Sequence, residues 1–186
     1  MQKISDAKER IIDTASRLFF QQGYNLTGIN QVIEEANVAK STLYQYFPSK
    51  DDLCAEYLKR KHSIFFELLQ DFIKKYKTPH SKLLATFDYL AVKSKEDSYR
   101  GCSFLNIIAE IPDEHSKVLD AARANKSTLR RYFSELVALL PQESKRSEKL
   151  GDRIYLLFEG AITESQVQKD SWPILLAKST AKEMIQ

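Results

Sequence analysis

An all-α fold is what this sequence predicts: a compact three-helix head followed by a larger helical body. Apolar residues recur at three- and four-residue intervals in nearly every segment, and no stretch sustains the alternation of a strand. Gly23, Pro48, Pro79, Pro112 and Pro141 fall where that periodicity breaks, so the helices come already punctuated.

The first helix is expected over 6–22, with Asp6 and Glu9 at capping-box spacing and Ile11, Ala15, Leu18 and Phe19 on one stripe. Gly23 ends it, because the exit calls for a backbone angle that costs glycine little. A short second helix follows Thr27, a good N-cap residue, and turns Ile29, Val32, Ile33 and Ala36 inward. Asn37 interrupts the pattern and tolerates a turn conformation. A third short helix spans 39–47, closed by Pro48. Ser49 caps the next helix, with Asp52 at the reciprocal position.

Beyond residue 50 the helices lengthen: 50–75, 81–93, a short apolar piece at 101–111, then 116–140. Residues 141–148 read as a polar linker before helices over 149–169 and 173–184, the last opened by Pro173. The expected domains are residues 1–49 and 50–186.

Composition narrows the class. The chain has 186 residues, a formal net charge of +3, 43% hydrophobic residues and two cysteines. No apolar run approaches the roughly 18 residues of a membrane span, and the first residues lack a secretory core, so a cytoplasmic protein without membrane association is expected. Cys54 and Cys102 are too few for a disulfide scaffold, and His62, His80 and His115 show no metal-ligand spacing; no metal or other cofactor is expected. No nucleotide loop, catalytic carboxylate pair or nucleophile–base order points to an enzyme.

Two short helices joined by a tight turn, with a longer helix across them, are the parts of a helix-turn-helix. In the third helix, AKSTLYQYF, Leu43 and Phe47 anchor inward. Lys40, Ser41, Thr42, Tyr44, Gln45 and Tyr46 offer donors and aromatic edges on its other faces. Gln pairs with adenine in the major groove, Ser and Thr reach base edges, and Lys meets guanine or phosphate. Lys50 and Thr27 join Tyr46 as candidate phosphate contacts. Residues 1–50 hold six Lys or Arg against five Asp or Glu, so a positive face requires Glu34 and Glu35 to turn away from it.

Ile12, Ala15, Leu18, Phe19, Gly23, Tyr24, Thr27, Ile29, Val32 and Ile33, followed by EEANVAKSTLYQYFPSKDDL over Glu34 to Leu53, resemble the TetR family of transcriptional regulators. Its usual pattern is A-G-V-S-x-G-T-L-Y-x-H-F-x-S-K-x-x-L. The departures are Asn37 for Gly, Ala39 for Ser, Ser41 for Gly, Tyr46 for His, and Gly28 where Ser or Thr is common. The resemblance implies a DNA-binding head and a body carrying dimerisation and a ligand cavity. GCSFLNIIAEIPDEH, from Gly101 to His115, is similar to a segment of the multidrug- and flavonoid-responsive subgroup.

One short recognition helix reads too few base pairs, so double-stranded DNA with a palindromic site and a homodimer are expected together. Ile154, Leu157, Phe158, Ala161, Ile162 and Ser165, with Trp172 and Leu175, are the candidate dimer interface. Phe65, Phe66, Leu69, Phe87, Tyr89, Leu90, Phe104, Leu105 and Ile108 are candidate walls for an aromatic or amphipathic small-molecule effector. The expected function is a repressor released from its operator by that effector. The alternatives are a helical adaptor that has lost DNA binding, which the departures at Ala39 and Ser41 keep open, and a thiol-based redox-responsive regulator acting through Cys102.

Overall fold

The computed structural model describes residues 7–112, 116–141 and 144–185. Among them the chain forms nine α-helices and no strand: α1 (Ala7–Leu26), α2 (Ile29–Glu35), α3 (Lys40–Tyr46), α4 (Lys50–Ile73), α5 (Pro79–Glu96), α6 (Ser103–Ile108), α7 (Ser116–Ala138), α8 (Ser144–Gln168) and α9 (Trp172–Met184). They sort into two compact units, Met1–Ser63 with Ser103–Ala124, and Ile64–Cys102 with Asn125–Gln186; α4 and α7 give residues to both. Asp6 and His115 lie outside the described residues.

In the first unit α1 buries Ile11, Ile12, Ala15, Leu18 and Phe19 and packs on α2, α3 and α6. Each of the larger side chains, Ile11, Ile12, Leu18 and Phe19, contributes about 1.5–3 kcal/mol when taken out of water. Helical backbone breaks at Gly23, whose φ of 83° and ψ of −177° lie in a region essentially reserved for glycine. Tyr24 then stacks on Phe19 with ring centroids 6.1 Å apart and donates its hydroxyl to Asp51 of α4. Burial and that carboxylate push the Tyr24 phenol well above its ordinary range.

The start of α2 differs from expectation. Its N-cap is Gly28, not Thr27, and no side chain caps it. Thr27 is fully buried, and its hydroxyl donates backward to Gly23 O at 2.6 Å, closing the turn after α1. Between α2 and α3, Asn37 takes the left-handed conformation at φ 50°. Arg10 of α1 donates from Nε to Ala36 O at 3.1 Å and from Nη2 to Asn37 O at 3.4 Å, fastening this turn to the long helix. Ser49 caps α4 as expected: its Oγ accepts from Asp52 N at 3.1 Å, and its hydroxyl donates to Asp52 Oδ2 at 2.6 Å.

The second unit is held by one apolar core running from Leu69 on α4 to Ile185 after α9. Phe87, Phe133 and Phe158 meet at its centre, with ring centroids 5.2–6.2 Å apart. Helix α9 packs on α5 and α8. Pro79 opens α5 rather than separating two helices, because Thr78 Oγ1 accepts from Ser81 N at 3.1 Å and a first-turn proline sacrifices no helical hydrogen bond. Helix α8 begins at Ser144, inside the stretch expected to be a linker, and α6 is shorter than the 101–111 run that predicts it.

Candidate functional site

Helix α3 is about two turns long. Leu43 is fully buried and Phe47, its C-cap, nearly so; these two anchor it as the apolar spacing requires. Lys40, Ser41, Tyr44, Gln45 and Tyr46 are exposed, and Thr42 is half-buried. Tyr44 and Tyr46 keep 42% and 38% of their surface in water, which is large for aromatic residues beside a core. Five of the six candidate DNA residues of α3 therefore face water on one short helix, and Thr42 does so only in part. Thr27 does not join them, because its side chain is sealed inside the turn.

Lys50 at the start of α4 is half-buried, with Nζ 4.2 Å from the centre of the Tyr24 ring. Burial lowers its pKa from the ordinary lysine value. Its ammonium is thus placed by a ring that Asp51 holds from the other end. The acidic residues of α2 are partly neutralised: Glu35 pairs with Arg17 of α1 and accepts from Gln31 Nε2 at 2.9 Å. These hydrogen bonds hold the Glu35 carboxyl below its usual range.

Sequence reasoning missed a clasp at the entrance to the head. Glu110, just after α6, accepts a hydrogen bond from the Asn25 backbone N–H at 2.8 Å through Oε2, and its carbonyl accepts from Asn25 Nδ2 at 3.0 Å. The same carboxylate lies over Gly23, where a β-carbon would come within 2.1 Å of Oε1. No local pattern announces a contact that spans 85 positions.

Of the candidate effector residues, Phe65, Phe66, Leu69, Phe87, Tyr89 and Leu90 belong to the second unit, and Phe104, Leu105 and Ile108 to the first. Phe65 meets Phe66 and Tyr89 edge-on at 5.3 and 5.6 Å, and Phe66 meets Tyr132 at 6.2 Å. Thr86 donates to Lys82 O at 3.0 Å, so Tyr132 is the donor in the 2.8 Å bond between their hydroxyls. An open groove of ≈ 240 Å³ between α4 and α5 is lined by Leu68, Asp71, Phe72, Tyr89, Val92, Lys93 and Glu96. Tyr89 is the one predicted effector residue that borders it. Its hydroxyl is buried without a hydrogen-bond partner among the described residues, and burial pushes its pKa up to about 12.

The candidate dimer residues divide by helical face. Ile154, Phe158, Ala161, Ile162 and Ser165 pack inward in their own chain and Leu157 is half-buried, whereas Trp172 and Leu175 are about half exposed. The apolar surface of α8 facing water is a different stripe, Leu156 and Val167, with exposed Gly160 and Thr163 between them at helical spacing. Leu176 extends the exposed surface of α9. No group of three or more His, Cys, Asp or Glu among the described residues is placed to hold a metal ion, and no described helix is long and apolar enough to cross a membrane.

Residues 11–57 match the family model for bacterial regulatory proteins of the tetR family. Likeness to solved structures covers nearly the whole chain. SCO4454, a TetR-family transcriptional regulator from Streptomyces coelicolor, aligns with a TM-score of 0.80 at 25% identity, over 96% of this chain and 92% of its own. The chain has the TetR-family regulator fold. The reduced form of Escherichia coli NemR shares that TetR-family fold, with a TM-score of 0.81 at 19% identity over 97% of this chain and 98% of its own. Two Bacillus subtilis (strain 168) HTH-type transcriptional regulators are similar in sequence. YxaF is 27% identical over 92% of this chain and 91% of its own, and LmrA 24% identical over 97% of each. In the TetR-family fold the α2–turn–α3 unit is the helix-turn-helix, and α3 is the helix whose polar side faces out.

Proposed function

We propose that this chain is a homodimeric, effector-responsive DNA-binding repressor that reads a palindromic operator. The observation that carries the reading is the outward side of α3, where Lys40, Ser41, Tyr44, Gln45 and Tyr46 stand in water above a buried Leu43. A helix so held fits a major groove, with Gln45 and Ser41 toward base edges and Lys40, Tyr46 and Lys50 toward phosphates. Residues 1–49 act as the reading head and 50–186 as the sensing and pairing body.

Pairing is assigned to the water-facing apolar stripe of α8 together with α9: Leu156, Val167, Trp172, Leu175 and Leu176. Gly160 leaves open space where a partner helix would approach. Two helices from each subunit then form a four-helix contact, and the two-fold axis repeats the heads along DNA.

The effector is an aromatic or amphipathic small molecule. The similarity of the Gly101–Glu110 stretch to multidrug- and flavonoid-responsive regulators supports this class, as do the clustered Phe65, Phe66 and Tyr89 rings and the unpartnered Tyr89 hydroxyl. To release DNA it must bind the non-reading conformation more tightly than the reading one. Footprinting of genomic fragments by the purified chain, with a salt titration, tests the reading. Protected near-palindromes with a steep salt slope support it, and the absence of any preferred duplex at low salt overturns it.

A further inference from the structure

A surface lysine usually carries its ammonium on a flexible four-carbon stem. Lys50 is held differently. It stands half-buried at the start of α4, three positions after Phe47, the C-cap of α3, and its Nζ lies 4.2 Å from the centre of the Tyr24 ring. At that distance the electron-rich face of the ring attracts the cation. Tyr24 itself has little freedom: its side chain is 93% withdrawn from water by the 7% exposure it retains, its plane lies 7° from that of Phe19, and its hydroxyl donates to Asp51. Two other lysines give the contrast. Lys61 lies 4.3 Å over Phe20 and Lys75 5.0 Å over Phe72, but both of those rings are only half-buried.

An ammonium placed before DNA arrives loses less side-chain freedom on meeting a phosphate than a free one does. Phosphate contacts also set the register and orientation of a protein on the duplex. Only Pro48 and Ser49 separate Lys50 from the C-cap of α3, so a phosphate held by Lys50 fixes where α3 lies along the groove. We propose that Tyr24 is a positioning residue for DNA binding, its ring aiming the Lys50 ammonium at a backbone phosphate and thereby setting the register of α3. This role rests on the DNA-binding reading and on the Lys50 phosphate contact assigned above. Tyr24 acts through Lys50 and not on the nucleic acid. The ring face holds the cation and the hydroxyl only braces the ring, so phenylalanine at this position serves and an aliphatic residue does not.

The test titrates salt against the full chain on a fluorescently labelled duplex of arbitrary sequence, with circular dichroism verifying the fold of each variant. Lys50→Ala and Tyr24→Leu should each lower the salt slope by about one, and the double variant should lower it no further. Tyr24→Phe should keep the wild-type slope; because it too frees Asp51, it controls for that carboxylate. A second readout needs no DNA. The Lys50 ε-methylene resonance, assigned by its loss in Lys50→Arg, should lie upfield of an unstacked lysine in the wild type and in Tyr24→Phe. In Tyr24→Leu it should return to the unstacked position. An unshifted wild-type resonance, or a wild-type slope in folded Tyr24→Leu beside a lowered one in Lys50→Ala, overturns the positioning role alone. An unchanged slope in Lys50→Ala overturns it together with the phosphate contact, and a wild-type chain that binds no duplex at low salt overturns the DNA-binding reading as well.

Discussion

Replacing Gly23 by Ala tests how the head is attached to its scaffold. At φ 83° and ψ −177° an alanine carries about 1–3 kcal/mol of backbone strain. Its β-carbon would also sit 2.1 Å from Glu110 Oε1 and 2.8 Å from Cδ, so the carboxylate must swing away and release the Asn25 N–H. That charged hydrogen bond is solvent-exposed, so its loss costs about 1 kcal/mol, at the low end of the usual range. The sum is about 2–4 kcal/mol, read as a lowered urea midpoint at unchanged slope. Glu110→Ala alone should cost about 1 kcal/mol, since water can satisfy Asn25. In the double variant the carboxylate is already gone, so the two effects should fall short of additivity by about 1 kcal/mol. Additivity within about 0.3 kcal/mol, or a Gly23→Ala cost below about 0.5 kcal/mol, would refute the clasp as the cause.

Lys50→Ala should weaken matched and mismatched duplexes alike and lower the salt slope by about one, whereas Gln45→Ala should change site preference in a binding-selection experiment; an unchanged salt slope removes the Lys50 phosphate assignment. Leu175→Asp/Leu176→Asp changes two exposed side chains, so the subunit should keep its helicity while sedimentation shifts from dimer to monomer and operator affinity drops at least about tenfold. Hydrogen bonds from Lys117 and Ser49 hold the Asp52 carboxyl below its ordinary value, so the folded chain binds its proton less readily than the unfolded chain. Its contribution, about 0.2–1 kcal/mol for so exposed a pair, is fully present above the unfolded value near 3.9 and is lost as pH falls through the lower folded value. Asp52→Asn should therefore flatten the stability–pH curve in that acid window, as measured by thermal melts.

Where chain conformation dictated the residue type, the sequence was readable. Gly23, Asn37 and the Ser49 cap each answer a local backbone demand, and each sits where that demand predicts. Thr27 was misread because a threonine two positions before a helix can cap forward or bond backward, and only the fold decides. The effector residues were recognisable as apolar, but not as members of two separate units. The faces of α8 were ambiguous for a related reason. This helix carries one apolar stripe through Ile154, Phe158 and Ile162 and another through Leu156 and Val167, and periodicity does not say which one its own chain covers. Glu110 and Arg10 act over long sequence separations through polar tips, which hydrophobic pattern does not register.

Helix α3 is moored through Leu43 and the Phe47 that follows it. Its exposed positions thus carry little of the weight of folding, and exchanging them should leave the melting temperature nearly untouched. A lineage, or an engineer, can then redraft the DNA vocabulary of this head one side chain at a time without first having to rescue its stability.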